Sequence, residues 1–587
     1  MSPLGVTPAL GAALGRFFDS AAPFKSRLEA LVLELPDGES DELMMLMKES
    51  RGAWAMLLDG AAGRALFVGN SFSGTPVALG TLGFEVTVLE REPARLRFAL
   101  ERAAALAPGS SNAVAGGDCA TLPFMDRSFD LVVLEGGLPS PATGWGFSAE
   151  ELRRVCRREL IITADNRLGY KRSTGRRGAF RRHPLHLLRE ILKPSRGERT
   201  LPGTRAAGRG AWKEAEVYSL YPHAREFSHV VALDHPRPRL TIGPRERKNR
   251  LKMLGASLGL FPWLTPSFAV HSRRAATGAS RIQRLLEHVA AACGEPRPEV
   301  DMLVATRSND ALMHTALDGC PGKEGRWTVH VALQPAKRRM VEQHHAWLAR
   351  VRARHPGVPV PEPLFHGVIE GAEVAVERRV DGLNGTDLTG QRQLTERMFR
   401  DASEQLVHLL EPQATTLDGE LFETMLQPRF DIVLGLIASE ATRRRVEEMI
   451  ARARDQLVGR PLRLGVYHAD LRAKHLQVSG DGSILGYLDW GASEERFLPL
   501  IDLLHLIIHQ RKQETGGSFG AAWRAILAPE QRRPTEQRAL EGYLDAAAMD
   551  HDLLPVLLEL YPALVAGMAE LNWDYSRPDW VRRQFDL

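Results

Sequence analysis

The stretch VYHADLRAKHLQV at residues 466–478 is followed by the turn GDG at 480–482 and by ILGYLDWG at 484–491. This pattern predicts a loop, a strand, a tight turn and a second strand, with one carboxylate before the first strand and another after the second strand. Phosphoryl transfer needs an acid that orients the attacking hydroxyl, and hard oxygen ligands that hold magnesium on the nucleotide phosphates. Asp470 and Asp489 are suited to these two tasks, so the stretch predicts a phosphate-transfer centre.

The HxDLxxxH pattern that ends at His475, with LDWG around Asp489, resembles the aminoglycoside phosphotransferase family of small-molecule kinases. The resemblance implies that Asp470 is the catalytic base and Asp489 the main metal ligand, with ATP and Mg²⁺ or Mn²⁺ as cofactors. The family often has asparagine at the place of His475, so the resemblance implies a histidine that replaces it as a metal ligand. By the same resemblance Asp502 is a structural aspartate at the head of a helix, and His468 is expected to brace the loop.

The resemblance extends over about residues 299–571 and includes a nucleotide-binding lobe. In RWTVHVAL, the position of the family's phosphate-binding lysine holds His330, and Lys337 lies nearby as a candidate substitute. Glu342, on the following predicted helix, is either a partner of that cation or an exposed helix charge. Strand-like runs before residue 394 and helical patterns after it predict a small sheet lobe followed by a larger helical lobe.

A second set of patterns lies near the N-terminus. Between residues 65 and 162, short β-branched runs alternate with helical patterns, which predicts a parallel sheet with crossover helices. The first run, ALFVG, is followed by a small-residue turn at 70–74, where a backbone can pass close to a ligand. The next run ends in Glu90, about twenty residues downstream, where a carboxylate can accept hydrogen bonds from both hydroxyls of a ribose.

With GDCATLPF at 117–124 and the run LVVLEG, these features resemble class I S-adenosylmethionine-dependent methyltransferases. The resemblance implies a Rossmann-like sheet that binds S-adenosylmethionine. Gly69 and Gly74 would lie beside the methionine part, Glu90 on the ribose, and Asp118 beside the adenine amine. A sheet that has lost cofactor binding is the alternative, because the turn GNSFSG is less rich in glycine than the family pattern.

Composition restricts the class of protein. The 587 residues are 44% hydrophobic and 25% charged with four scattered cysteines, which indicates neither disorder nor a disulfide framework and favours a reducing, cytoplasmic location. Basic residues exceed acidic ones by only four, so no nucleic-acid partner is expected. The apolar stretch 553–571 contains acids and prolines, which favours packed helices over a transmembrane segment. The arginine-rich segment 172–182 is either a solvated loop or a contact for an anionic acceptor or a membrane surface.

The sequence therefore predicts an α/β protein with a Rossmann-like methyltransferase sheet at 1–255, a linker at 256–295, and a bilobal α+β protein-kinase-like domain at 296–587. The leading hypothesis is a bifunctional methyltransferase and ATP-dependent phosphotransferase that acts on a carbohydrate or another hydroxylated acceptor. NRLGYK at 166–171 is similar to a segment of methyltransferase-like proteins from bacterial surface-polysaccharide loci, and this resemblance implies a role in surface polysaccharide modification. The alternatives are a kinase of an antibiotic or metabolite with a non-catalytic methyltransferase-like domain, and a scaffold in which both domains are inactive.

Overall fold

The computed structural model describes residues 6–567 apart from 61, 107–110, 116–119, 137–144, 167–213, 225, 234–260, 276–277, 307–309, 318–322 and 438. At 111–115 and at 214 only the backbone is described. Three features that the sequence singled out lie outside the described residues: Asp118, the arginine-rich segment 172–182, and all but the first residue of NRLGYK.

The chain contains both strands and helices in large number, so the predicted mixed α/β class is confirmed. The strands are β1 Gly63–Val68, β2 Phe84–Glu90, β3 Ser111–Ala115, β4 Phe129–Glu135, β5 Cys156–Asp165, β6 Glu214–Tyr221, β7 His229–Ala232, β8 Ser267–Arg273, β9 Glu299–Ala305, β10 Asp310–Ala316, β11 Trp327–Ala332, β12 Pro363–Ile369, β13 Ala372–Arg378, β14 Leu383–Asn384, β15 Thr415–Thr416, β16 Pro461–Leu462, β17 Gly465–Tyr467, β18 Leu476–Val478, β19 Ile484–Tyr487 and β20 Glu494–Phe497. The α-helices are α1 Pro8–Asp19, α2 Phe24–Glu34, α3 Asp37–Leu46, α4 Thr75–Thr81, α5 Pro93–Leu106, α6 Ala149–Val155, α7 Phe261–Leu264, α8 Arg281–Cys293, α9 Pro335–Arg354, α10 Arg392–Leu406, α11 Gly419–Leu436, α12 Glu440–Leu457, α13 Ile501–Thr515, α14 Phe519–Leu527, α15 Pro534–Ala547 and α16 Leu553–Ala566.

The chain divides into two compact units. Unit 1 comprises Met1–Val341 and Leu364–Glu377, and unit 2 comprises Glu342–Pro363 and Arg378–Leu587. None of the helices in the described part of the chain is long and apolar enough to cross a membrane.

Unit 1 is built on a sheet whose first five strands run parallel in the order β3-β2-β1-β4-β5. Strands β1 and β4 have uninterrupted buried apolar runs, as expected for parallel strands that are covered on both faces. The parallel pairing predicted between residues 65 and 162 is therefore observed. In such sheets a ligand site is expected at the carboxyl ends of the strands, where the strand order reverses between β1 and β4.

The same sheet continues through eight further strands to a total of thirteen, in the order β5-β8-β6-β7-β9-β10-β11-β13-β12, and the pairs from β5 to β11 are antiparallel. Strand β8 pairs with both β5 and β6, and β7 pairs with β9. Regular structure therefore occupies much of the predicted linker 256–295, which contains β8 and helix α8. Its mixture of prolines and basic residues concealed a strand of seven residues that is stabilised by pairing with distant parts of the chain. The division into functional domains at residues 255 and 296 stays a prediction.

Unit 2 is mainly helical and carries three small sheets, β14-β18-β19, β15-β16 and β17-β20. Helix α13 is buried along its first eight residues, most of them apolar, which marks it as a central helix of this unit. Helix α16 is buried to a similar extent and packs near α13. The short strands β17, β18 and β19 carry the predicted phosphate-transfer centre between them.

Candidate functional site

The loop after β17 is held by a carboxylate from helix α13. The Oδ2 atom of Asp502 accepts a hydrogen bond from the backbone N–H of His468 at 2.8 Å, and Oδ1 accepts one from Ala469 at 3.1 Å. Ala469 has a φ of 73°, a left-handed conformation that is unusual for a residue with a side chain. Burial raises the pKa of Asp502 to about 7, although the two N–H donors favour its carboxylate form. Asp502 thus lies where the sequence placed a structural aspartate.

Asp470 lies at the end of this loop and is only 3% exposed. Its Oδ2 atom forms an ion pair with Arg472 and lies 3.8 Å from Nζ of Lys474, while Oδ1 lies 3.3 Å from Nε2 of His505. Burial acts to raise the pKa of Asp470, but the charge of Arg472 and the other donors outweigh it and hold the pKa well below its ordinary value. Asp470 is therefore an ionised acceptor at neutral pH, suited to orienting a hydroxyl group.

His475 lies between the two aspartates. Its Nδ1 atom is 2.6 Å from the backbone carbonyl oxygen of Asp470, and its Nε2 atom is 3.3 Å from Oδ2 of Asp489. Burial, with the nearby charge of Lys474, lowers the pKa of His475 to about 3, so the ring is neutral. Because a carbonyl oxygen only accepts, the single ring proton lies on Nδ1, and Nε2 offers a lone pair.

The donor atoms of His475 and Asp489 are of the types that bind a cation. The lone pair of His475 Nε2 and the carboxylate of Asp489 are both electron donors, and no hydrogen lies between them. Ligand atoms of Asp470, His475 and Asp489 all lie within 4.8 Å of one another, so one divalent ion can reach more than one of them. Asp489 has a φ of 64°, a left-handed conformation that the surrounding structure imposes on it.

His468 has the bracing role that its position predicted. Its ring is fully buried, its Nε2 atom donates to the carbonyl oxygen of Leu488 at 2.8 Å, and its centroid is 4.7 Å from that of Trp490. Burial lowers the pKa of His468, so the ring stays neutral and carries no charge to a substrate. The ring therefore ties the loop after β17 to the segment that follows β19.

The predicted phosphate clamp belongs to unit 1. On strand β11, Nδ1 of His330 lies 3.6 Å from Oδ2 of Asp310 and Nε2 lies 3.7 Å from Oε1 of Glu377. Burial acts to lower the pKa of His330, but these two carboxylates outweigh it and raise the pKa to about 10. Lys337 is buried and its charge acts on Asp310, so the structure brings both predicted cations to the same carboxylate. Glu342 is exposed, as expected for the alternative of a helix surface charge.

His330 gives a first prediction. His330→Lys keeps a cation, so the dissociation constant for ATP is expected to stay within a few-fold of the wild-type value. His330→Gln is expected to raise this dissociation constant roughly tenfold to a hundredfold, because one charged hydrogen bond is lost. The measurement is isothermal titration with ATP and metal from pH 6 to 9.

The pH dependence follows from the raised pKa. The pKa of His330 rises from 6.5 in the unfolded chain to about 10 in the folded protein. The protonated ring therefore stabilises the fold below pH 6.5, and this stabilisation is lost as the pH rises through about 10. ATP affinity is therefore expected to be flat from pH 6 to 9. A transition centred near 6.5 in the wild type would contradict a permanently charged His330.

In unit 1, the other predicted site residues lie at the carboxyl ends of β1 and β2. Glu90 is 1% exposed and both of its carboxylate oxygens accept hydrogen bonds from the protein. Oε2 accepts from the N–H and hydroxyl of Ser71, and Oε1 accepts from the N–H groups of Arg91 and Glu92 and from the guanidinium of Arg95 at 2.8 Å. The ribose role of Glu90 stays a prediction, and such a ribose would compete with five protein donors.

The glycines of the turn after β1 pack against other atoms of the protein. A Cβ at Gly74 would lie 2.3 Å from the carbonyl carbon of Lys48 and 2.5 Å from the nitrogen of Glu49. A Cβ at Gly69 would lie 3.1 Å from the Cβ of Glu135. Close packing of the segment around residue 48 therefore accounts for glycine at position 74.

Buried arginines complete this packing. Arg51 forms an ion pair with Glu135 at 3.1 Å, and Thr75 also donates to Glu135. Arg102 donates to the carbonyl oxygen of Phe72 at 3.0 Å and forms a buried ion pair with Glu49. The turn that was predicted to approach a cofactor is therefore cross-linked to the segment before β1 by the chain's own charged side chains.

Sequence reasoning did not find His505, Tyr561 or the role of Arg472. His505 lies three residues after Asp502 on helix α13, and the helical period places both residues on one face. This spacing is the sequence signal from which the position of His505 could have been predicted. Arg472 is two residues after Asp470, a spacing that also predicts proximity. No sequence pattern relates Tyr561 to this loop, because it comes from the separate helix α16.

Comparison with known proteins identifies the C-terminal part of the chain. Residues 321–533 match the model described as the phosphotransferase enzyme family, and this segment contains Asp470, His475, Asp489 and His330. The matched segment covers less than half of the chain. Within it, the chain has a kinase-like phosphotransferase domain. No curated protein sequence matches the chain.

Several solved structures show weaker similarity. An aminoglycoside phosphotransferase from Streptomyces rimosus, solved with ADP and streptomycin, is 15% identical over 48% of this chain and 97% of that chain, with a TM-score of 0.31. A macrolide 2'-phosphotransferase type I is 14% identical over 53% of this chain and 98% of that chain, with a TM-score of 0.33. A SAM-dependent methyltransferase from Aquifex aeolicus is 17% identical over 20% of this chain and 68% of that chain, with a TM-score of 0.16.

Proposed function

We propose that this protein is an ATP-dependent kinase that transfers the γ-phosphoryl group to a hydroxyl of a small-molecule acceptor, and that its parallel-sheet part is non-catalytic. The observation that carries the first half is the convergence of Asp470, His475 and Asp489, with ligand atoms within 4.8 Å of one another in one loop system. Phosphoryl transfer depends on positioning and electrostatic stabilisation rather than covalent chemistry, and this loop system supplies the groups for both.

The chain's own residues have distinct tasks in this reaction. The carboxylate of Asp470 accepts a hydrogen bond from the acceptor hydroxyl and turns its oxygen toward the phosphoryl group. Its lowered pKa suits orientation, because a carboxylate of this kind remains ionised throughout the neutral range. The positive charges of Arg472 and Lys474 beside it favour the negative charge of the transferred group.

The metal would be held by His475 through Nε2 and by Asp489 through its carboxylate. When bound, a divalent cation neutralises charge on the nucleotide phosphates. The tautomer of His475 is fixed by its hydrogen bond to the carbonyl oxygen of Asp470, so its free lone pair is presented without reorganisation.

His475 gives a second prediction. Imidazole nitrogen is a softer ligand than an amide oxygen, so His475→Asn is expected to shift the ratio of Mn²⁺-supported to Mg²⁺-supported rates toward magnesium. Steady-state rates with each metal, for wild type and variant, measure this ratio. An unchanged ratio would refute direct ligation by His475. His366→Asn, which alters an imidazole paired with Glu373 in unit 1, is the matched control and should leave the ratio unchanged.

The pH profile follows from the same histidine. An unperturbed imidazole would lose its metal-binding lone pair as the pH falls through 6.5, but burial lowers the pKa of His475 to about 3. Activity is therefore not expected to fall through protonation of this ring between pH 5.5 and 8. The effect of His475 on the stability of the fold is opposite to that of His330. Because the pKa of His475 is lowered on folding, the fold becomes less stable as the pH falls from 6.5 toward 3.

We infer that the parallel sheet of unit 1 is non-catalytic. The strand order β3-β2-β1-β4-β5 supports the resemblance to a nucleotide-binding sheet. Glu90 and the turn at Gly74 are occupied by protein groups, which favours the alternative of a non-catalytic methyltransferase-like part over a bifunctional enzyme. The acceptor we propose is a carbohydrate or another hydroxylated small molecule, such as an antibiotic or metabolite.

One experiment tests the function. The protein is incubated with ATP and Mg²⁺ or Mn²⁺ and a panel of sugars, polyols and aminoglycosides, and products are examined by mass spectrometry for one added phosphoryl group. Isothermal titration with ATP plus metal and with S-adenosylmethionine accompanies it. We expect a phosphorylated product and binding of ATP only. Binding of S-adenosylmethionine would restore the bifunctional hypothesis, and binding of neither ligand would leave the scaffold.

A further inference from the structure

Two buried hydrogen bonds run from the proposed catalytic carboxylate into the core of unit 2. The Nε2 atom of His505 lies 3.3 Å from Oδ1 of Asp470, and the Nδ1 atom of the same ring lies 2.7 Å from the hydroxyl oxygen of Tyr561. His505 is 2% exposed and Tyr561 is fully buried. The three residues come from the loop after β17, from helix α13 and from helix α16, so the chain of bonds joins three separate elements.

The direction of both hydrogen bonds is fixed by chemistry. Burial lowers the pKa of His505, so its ring is neutral and carries one proton. Burial also raises the pKa of Tyr561 well above its ordinary value, so the phenol keeps its proton. An ionised Asp470 can only accept, which places the imidazole proton on Nε2 and leaves Nδ1 to accept from the tyrosine hydroxyl. One arrangement satisfies every donor and acceptor: Tyr561 donates to His505, and His505 donates to Asp470.

The rings have little freedom to leave this arrangement. The centroid of His509 lies 4.4 Å from that of His505, and Phe519 stacks on Tyr561 at 5.8 Å with an interplanar angle of 20°. Phe519 also lies 5.4 Å from His509. Close packing of this kind holds side chains in single rotamers, so the donor on Nε2 remains directed at the carboxylate.

We propose that His505 is a positioning residue that fixes the rotation of the Asp470 carboxylate, and that Tyr561 selects the imidazole tautomer which His505 needs for this task. This inference rests on the proposed role of Asp470 in phosphoryl transfer. The Oδ2 atom of Asp470 is held by Arg472, whose side chain is partly exposed, whereas Oδ1 is held by a fully enclosed donor. The buried donor therefore determines which carboxylate lone pairs face an incoming hydroxyl.

The inference is tested with steady-state kinetics on an acceptor that the wild-type protein phosphorylates. His505→Leu is expected to lower kcat roughly tenfold to a hundredfold, the usual effect of removing a group that orients a reacting side chain, with the KM for ATP unchanged. His505→Gln, which returns an N–H donor, should recover part of the lost kcat. His551→Leu removes an exposed imidazole of the same unit that pairs with Asp545, and it should leave kcat unchanged.

Tyr561→Phe keeps the ring and removes only the hydroxyl, so it remains informative if the His505 variants fail to fold. It is expected to lower kcat less than His505→Leu does, and to have no further effect in the His505→Leu background, because it acts through the histidine. Wild-type kcat in His505→Leu, or a full additional loss in the double variant, would overturn the inference.

A second readout does not depend on turnover. The ¹⁵N chemical shifts of the His505 ring report its tautomer, and we expect the proton on Nε2 in the wild type and a mixture of tautomers in Tyr561→Phe. A proton on Nδ1 in the wild type would refute the inference even if no acceptor were phosphorylated. Failure of the proposed function is recognised separately. In that case Asp470→Asn and the wild type would have the same phosphotransferase activity, or neither would have any.

Discussion

Asp470→Asn is expected to lower kcat by about a hundredfold to ten-thousandfold, the range for removing a positioned acid–base group, while ATP still binds within a few-fold of the wild-type affinity. Asparagine keeps the volume of the side chain but has no negative charge, so it orients the acceptor hydroxyl poorly and leaves Arg472 without its carboxylate partner. In the proposed mechanism the nucleotide and its metal depend instead on His475 and Asp489, whose side chains lie 3.3 Å apart and are retained by this substitution.

The measurements are kcat and KM with a phosphorylated acceptor, and isothermal titration with ATP and metal. Asp481→Asn is the matched control, because it makes the same chemical change in the exposed turn between β18 and β19. Loss of ATP binding together with kcat would assign Asp470 a structural or metal-binding role in place of a catalytic one. Undiminished kcat would remove the basis of the proposed mechanism.

Glu90→Ala is expected to lower the free energy of unfolding by about 3–5 kcal/mol, the effect of removing one partner of a buried ion pair. Glu90 is 1% exposed, and its loss leaves the guanidinium of Arg95 and the N–H and hydroxyl of Ser71 without their acceptor. Because the loss falls on unit 1, we expect unfolding of this unit at a lower denaturant concentration. Phosphoryl transfer measured below that concentration should be unchanged.

Chemical denaturation followed by circular dichroism and tryptophan fluorescence measures the shift. Glu85→Ala, an exposed residue on the same strand β2, is the control and is expected to change stability by less than about 0.5 kcal/mol. If Glu90→Ala unfolds like the wild type and instead weakens the binding of S-adenosylmethionine, then Glu90 contacts a ribose and the non-catalytic assignment of the parallel sheet is wrong.

The sequence by itself determined the elements whose signal is local. The spacing within residues 466–491 predicted a loop with two carboxylates, and β17, β18 and β19 carry that loop in the structure. The β-branched runs between residues 65 and 162 predicted parallel strands, because buried parallel strands are apolar along their whole length. Both patterns depend on residues that are close together in the chain, so they are visible without the tertiary structure.

The tertiary structure alone decided the features that depend on distant residues. Pairing of β8 with β5 and β6 places part of the predicted linker within the sheet, and strand pairing of this kind leaves no local signal. Burial decided the charges, since it makes His475 neutral while two carboxylates keep His330 protonated.

The surroundings of Gly74 and of Asp470 also depend on residues that are distant in the chain. Gly74 lies against the backbone of Lys48, and His505 and Tyr561 reach Asp470 from helices 35 and 91 residues further along the chain, a separation that only packing brings together. A sequence pattern names the residue types that a reaction requires. Desolvation and the close approach of separate helices then determine the protonation state and orientation of those residues, because both depend on groups that folding brings from elsewhere in the chain.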